Sequence, residues 1–181
     1  MSGTAVAGRI PLTPAELLED ARSREDGALA GLWALLEEVK DPEIPVLSVR
    51  ELGVLRALRR EGSGICAVIT PTYSGCPAMQ TIATEIREAL ARAGESEVRI
   101  ETRLAPAWTT DWIAPQARER LAEWGIAPPG PAGEESSGTA PVCPRCRSNA
   151  TRELSAFGST ACKALWQCRS CGETFDYFKP L

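Results

Sequence analysis

Thr70-Pro71-Thr72-Tyr73-Ser74-Gly75-Cys76-Pro77-Ala78 lies between two stretches of different hydrophobic period. Before it, Ile65-Cys66-Ala67-Val68-Ile69 is apolar throughout, which predicts a central strand covered on both faces. After it, Met79, Ile82, Ala83, Ile86, Leu90 and Ala93 recur at helical spacing, and Gly94 supplies the stop. The quoted stretch is therefore a strand-to-helix loop. Proline suits the first position of a helix, where no amide donor is needed, so Cys76 is expected as the N-cap. A helix N-terminus carries roughly half a positive charge and several unpaired N–H groups. Both favour a thiolate and predict a pKa below the free value of about 8.5. A capping residue with no chemistry is the plainer reading of the same cysteine.

Outward from this loop the remaining elements follow. Leu29, Leu32, Trp33, Leu36 and Val39 share one helical face, and Asp41-Pro42 ends that helix. Asp41-Pro42-Glu43-Ile44-Pro45 reads as a stiff loop. Ser48 and Glu51 have capping-box spacing for a short turn closed by Gly53. Residues 54–60 and 64–70 read as a hairpin turning at Glu61-Gly62-Ser63, and Cys66 is a small buried apolar residue within it. Val98, Ile100, Thr102 and Leu104 alternate with Glu97, Arg99, Glu101 and Arg103, a strand with one wet face. Two tryptophans follow in Trp108-Thr109-Thr110-Asp111-Trp112. A last helix is expected from Pro115 to Trp124, with Ala117, Leu121 and Trp124 inward. The order is helix, strand, strand, helix, strand, helix. It predicts an α/β (α+β) unit, a small three-stranded sheet covered by helices, over residues 27–126. Residues 1–26 are expected as a flexible extension, with a short helix over residues 14–22 as the alternative.

Residues 127–141 are rich in Pro, Gly and Ser and read as a linker. Beyond it, Cys143-Pro144-Arg145-Cys146 and Cys168-Arg169-Ser170-Cys171 form two C-x2-C knuckles separated by 21 residues. Each knuckle can place two sulfurs on one ion, and the pair completes a tetrahedron of thiolates. Residues 142–181 are therefore expected to be a zinc ribbon with Cys143, Cys146, Cys168 and Cys171 as ligands. About forty residues cannot bury enough surface to fold unaided. Four thiolates leave no open position for substrate, so the zinc is structural; an iron–sulfur cluster is the competing occupant. Cys162 is left over. It reads equally as a buried ribbon cysteine or as a second reactive thiol whose pKa Lys163 could lower.

Composition narrows the function. There is no histidine, which excludes Ser–His–Asp triads, Cys–His pairs and His-ligated metals within this chain. Net charge is −4, with +3 from Val142 onward and −7 before it, so a nucleic-acid footprint is not expected. No apolar run approaches the ~20 residues of a membrane span, and the N-terminus lacks a secretory pattern. A cytoplasmic protein is expected, whose seven cysteines serve metal or thiol chemistry before disulfides.

Asp41-Pro42-Glu43-Ile44-Pro45, Ser48-Val49, Leu52-Gly53-Val54 and Thr70-Pro71-Thr72-Tyr73-Ser74-Gly75-Cys76-Pro77 together resemble the SufT-like iron–sulfur assembly domain. With Trp108-Thr109-Thr110-Asp111-Trp112, the linker and the ribbon ending Phe175-Asp176-Tyr177-Phe178, the chain is similar to the PaaD family of phenylacetyl-CoA epoxidase systems over roughly residues 29–179. The resemblance implies an accessory protein of phenylacetate degradation with no catalysis of its own. It would assist iron–sulfur cluster assembly on, or delivery to, the epoxidase reductase. It carries the family's cysteine onto Cys76 and its acidic loop onto Asp41 and Glu43, with iron or a cluster bound transiently. Implied partners are the reductase, other epoxidase subunits and other iron–sulfur assembly proteins, and a homodimer is compatible. The alternative is a structural or scaffolding subunit of the epoxidase complex that docks through the ribbon and the tryptophan loop. A thiol enzyme is the weakest reading, since no base accompanies Cys76.

Overall fold

The computed structural model describes residues 22–130 and 140–181. The expected N-terminal helix falls outside them except for its last residue. Residues 22–25 are helical and are docked. The buried Ser23 hydroxyl donates to the Leu58 carbonyl (2.8 Å) and accepts from the Leu58 amide (2.7 Å), while the Trp33 indole donates to the Ser23 carbonyl (2.8 Å).

Helix α1 (Ala30–Leu35) continues into a 3-10 turn at Leu36–Glu38. Its apolar face, Leu29, Leu32, Trp33, Leu36 and Val39, is buried as the spacing predicts. The Asp41–Ser48 stretch is not a plain loop. Strands β1 (Lys40–Asp41) and β2 (Ile44–Ser48) form a small antiparallel hairpin. Its turn is closed by Asp41, whose Oδ1 accepts the Glu43 and Ile44 amides at 2.8 and 2.9 Å. Proline at position 45 did not prevent pairing, because only one side of this two-stranded ribbon needs donors. The Ser48–Glu51 capping box forms reciprocally, at 2.9 and 3.0 Å.

Strands β3 (Leu55–Glu61) and β4 (Gly64–Ile69) make the expected antiparallel hairpin, and β5 (Val98–Thr102) joins β4 in parallel to give the order β3-β4-β5. Every residue of β4 is buried. Helix α2 (Ala78–Arg92) makes the crossover from β4 to β5 and buries Ala78, Ile82, Ile86, Ala89 and Leu90. The opposite sheet face holds a small cluster of Ala57, Cys66 and Val68, flanked by ion pairs among Arg59, Glu61, Arg99 and Glu101. Leu104, expected to point inward, is 59% exposed because the strand ends at Thr102.

Helix α3 (Pro115–Glu123) buries Ala117 and Leu121, but Trp124, at its end, is 61% exposed, a correction to the expected inward face. The tryptophan loop is also not an exposed docking surface. Trp108 is buried, its indole donating to the Leu52 carbonyl at 3.1 Å, and Trp112 lies beneath the Arg56 guanidinium at 3.5 Å.

The second sheet runs β6-β9-β8-β7, from β6 (Ile126–Ala127), β7 (Thr151–Ser155), β8 (Lys163–Cys168) and β9 (Thr174–Phe178). Strand β6 pairs with β9 in parallel at Asp176 and Tyr177. The ribbon is thus stitched to the residues that follow α3. It also contributes to the first unit's core: Cys162 and Phe178 belong to the main apolar cluster, and Phe178 meets Trp108 at 5.9 Å between ring centres. A three-stranded sheet covered by helices, followed by a ribbon, is the observed fold class, with the two parts sharing one core.

Candidate functional site

Two cysteine constellations lie in different surroundings. In the first, the sulfurs of Cys143, Cys146, Cys168 and Cys171 all lie within 4.8 Å of one another. Cys143 and Cys171 approach at 3.8 Å, and Cys146 and Cys168 at 3.5 Å. A tetrahedral ion bonded to sulfur at about 2.3 Å sets its ligands about 3.8 Å apart, so the donor set fits zinc. Each knuckle turns back through a left-handed residue just beyond its second cysteine, Arg147 (φ 63°) and Gly172 (φ 80°). Zinc here would fix the hairpins and offer no open position for chemistry.

The second constellation lies where the ribbon meets the first unit. One cavity of about 20 Å³ is lined by Asp41, Glu43, Thr72, Tyr73, Cys76, Thr160, Cys162 and Phe178, among others. That is room for roughly one water. Three elements supply the polar lining: the β1–β2 turn gives Asp41 and Glu43, the β4–α2 loop gives Thr72, Tyr73 and Cys76, and the ribbon's turn before β8 gives Thr160 and Cys162. All four residues singled out in the sequence for a transferable metal or a reactive thiol therefore line one cavity.

The expected N-cap lies one residue later: Pro77, already helical in its dihedrals (φ −68°, ψ −23°), caps α2 without a side-chain hydrogen bond, and Cys76 immediately precedes it, its amide donating to the Tyr73 carbonyl at 3.1 Å. The expected consequence fails too. Burial pushes the Cys76 thiol above its ordinary pKa, and the Asp41 carboxylate and Cys162 push the same way. The Ala78 amide and the Thr72 hydroxyl lower it without compensating. In this conformation Cys76 is a half-buried thiol, not an exposed thiolate.

Cys162 is buried and its thiol is likewise raised, chiefly by burial, with the Thr160 hydroxyl (3.0 Å from its sulfur) and Lys163 opposing. Lys163 is itself buried and pairs with Asp176 at 3.2 Å. Asp41 is 5% exposed, and burial raises its pKa against the two amides that bond it and the charge of Lys163. Three titratable groups are thus held toward their protonated forms around one small space.

The sequence did not single out Thr160 or Phe178. Thr160 and Cys162 face the cavity because the Gly158–Lys163 turn is tight: the Gly158 amide donates to Lys163 O and the Lys163 amide to Thr160 O. Gly158 has no side chain because Asp176 occupies the place; a Cβ there would sit 2.6 Å from Asp176 Oδ1.

Two family models match the chain. One, described as an iron–sulfur cluster assembly protein, spans residues 30–102, and the other, a PaaD zinc beta ribbon domain, spans residues 127–179. A curated relative from Escherichia coli (strain K12), provisionally named as the D component of 1,2-phenylacetyl-CoA epoxidase, is 52% identical over 151 residues, covering 82% of this chain and 90% of its own. Among solved structures, a domain of unknown function from Bacillus anthracis is 21% identical, covering 58% of this chain and 95% of its own, with a TM-score of 0.47. A Mycobacterium tuberculosis protein described as associated with Fe-S complex assembly and repair is 28% identical, covering 65% and 96%, with a TM-score of 0.31.

Proposed function

This chain belongs to the PaaD family of 1,2-phenylacetyl-CoA epoxidase components, and from that premise we propose that it is an accessory protein of phenylacetate degradation that carries iron or an iron–sulfur cluster to the epoxidase, most directly to its reductase component. One observation carries this reading: Cys76, Asp41 and Glu43 line a common cavity at a seam, apart from the metal quartet of the ribbon. A site that passes its cargo on needs donors that can be both occupied and vacated. A thiol that burial holds toward its protonated form meets that need, because it recovers its proton when the cargo leaves, with the Asp41 carboxylate beside it as an oxygen donor. The ribbon quartet, saturated with thiolates, serves structure. The proposal puts this action in the cytoplasm, beside a catabolic enzyme. Among the described residues no helix is long and apolar enough to cross a membrane.

The test is to co-express the epoxidase reductase with this protein as wild type and as Cys76→Ala, then to measure iron and acid-labile sulfide in the purified reductase. Reduced cluster content with Cys76→Ala is expected. A fully loaded reductase would refute the reading. The scaffolding alternative loses one of its supports, because Trp108 is buried and Trp112 is covered, so neither tryptophan of that loop is freely exposed.

A further inference from the structure

We infer that Cys162, supplied by the ribbon, is a ligand to the cargo ion, so that the cargo site is completed only while the ribbon is docked on the first unit. This rests on the proposed function above and extends it to a residue outside the iron–sulfur assembly match, which ends at residue 102.

Three observations place Cys162 there. It takes no part in the ribbon quartet, whose four sulfurs already lie within 4.8 Å of one another and suffice for a tetrahedral ion. It is packed in the core of the first unit and not in the ribbon's own small cluster, which contains Cys143 and Cys168. It lines the cavity that holds Cys76 and Asp41. The turn carrying it is built to hold it in place: Lys163 next to it is buried on Asp176, the Ser159 hydroxyl also donates to Asp176 (2.9 Å), and the Lys179 amide holds the Cys162 carbonyl at 3.0 Å.

The resulting donor set is two thiols and the Asp41 carboxylate, with Glu43 on the same lining, which suits a divalent ion that accepts thiolates, such as Fe²⁺ or its probe Co²⁺. Among the described residues only the ribbon quartet brings three such donor atoms within 4.8 Å, so the seam donors would draw together around an ion. The cavity's 20 Å³ admits a single ion and not a multi-iron cluster while the ribbon is docked. On binding, each thiol forms a bond to the ion and gives its proton to water, with no change in oxidation state. Removing the ion from between Cys76 and Cys162 then requires the ribbon's turn to move aside, which ties release to whatever partner displaces the ribbon.

The experiment is anaerobic titration of the full-length protein, its ribbon already zinc-loaded, with Co²⁺, following the thiolate-to-cobalt absorption band. Wild type is expected to bind one further equivalent with a two-thiolate band. Cys162→Ser should retain the ribbon zinc and give about half that band, and Cys66→Ala, on the far sheet face, should match wild type. Alkylation read by mass spectrometry should show Cys76 and Cys162 both protected by Co²⁺ in wild type. An unchanged band and unchanged protection in Cys162→Ser, with Cys76→Ala losing the band, would overturn this inference and leave the function standing. Equal bands in wild type, Cys76→Ala and Cys162→Ser would overturn both. Should Cys162→Ser lose its zinc, Cys162→Ala and the protection of Cys162 in wild type decide the matter.

Discussion

Phe178→Ala tests whether ribbon and first unit share a core. Phe178 ends β9, is fully buried, contacts Trp108 and lines the cavity with Cys76 and Cys162. Truncating a buried Phe typically costs about 3–5 kcal/mol, as lost transfer energy plus the cavity left behind. In a chain of this size each kcal/mol lowers the melting midpoint by about 2–4 °C, so the midpoint should fall by about 6–20 °C. The loss falls on the seam. If the seam opens as a local unit, its open population rises by the same free energy, roughly 10²- to 5 × 10³-fold. Iodoacetamide alkylation of Cys162 and Cys76 should accelerate accordingly, while Cys66, beneath the ion pairs of the other face, should not. Zinc content should stay unchanged, since the quartet lies away from this seam. A cost below about 1 kcal/mol, or a large cost with no change in alkylation of either seam cysteine, would refute the shared core.

Removing the ribbon metal with a chelator, or substituting Cys146→Ser, should unfold β7 to β9, because structural zinc in small domains contributes on the order of 10–16 kcal/mol; circular dichroism and Cys162 alkylation read this together. The pH dependence follows from the raised thiols. The unfolded chain releases the protons of Cys76 and Cys162 before the folded one does, so stability should fall as pH rises above about 8.5. Urea midpoints should show that fall in wild type and a flatter profile in Cys76→Ala. In Asp41→Asn the backbone amides keep an acceptor but Cys76 loses a neighbouring negative charge, so the pH midpoint of Cys76 alkylation should move down. Gly53→Ala should cost more than about 1–2 kcal/mol, the ordinary penalty for a left-handed alanine. Gly53 has φ +74°, and a Cβ there would meet the Trp112 backbone at 2.7 Å; chemical denaturation checks it.

Most of the fold was legible because local pattern and tertiary demand agree. The all-apolar run at residues 65–69 became the central strand, and the α2 stripe became its crossover. Where they disagreed, the ends of elements were responsible. Leu104 and Trp124 continue the period of their elements but lie beyond the last paired or packed turn, so periodicity alone placed them inside. The hairpin at residues 40–48 was hidden by its two prolines. The candidate site was legible as residues and not as an environment. Sequence could show that Cys76 lies where a helix starts, and so suggested an activated thiolate. It could not show that the ribbon closes over that position and that desolvation outweighs the helix amides. That contribution comes from Cys162 and Phe178, roughly ninety and one hundred positions away, and no local signal encodes it.

The proposed cargo handling would draw its physical basis from the contrast between the two cysteine sites. In the ribbon, two short knuckles from one sheet hold four thiols at coordination spacing, so the ligands are organised in advance and an ion there would be released only by unfolding. At the seam, the donors arrive on three separate elements, from two parts of the chain, and each thiol is desolvated toward its protonated form. An ion binding there as proposed would have to overcome the cost of ionising buried thiols, which would weaken the site relative to the quartet, and opening the seam would restore water to every ligand at once. Its affinity would therefore be tied to the ribbon's position. A partner that inserted where Phe178 and the Thr160–Cys162 turn now lie would remove one ligand, rehydrate the others and take up the ion in a single movement.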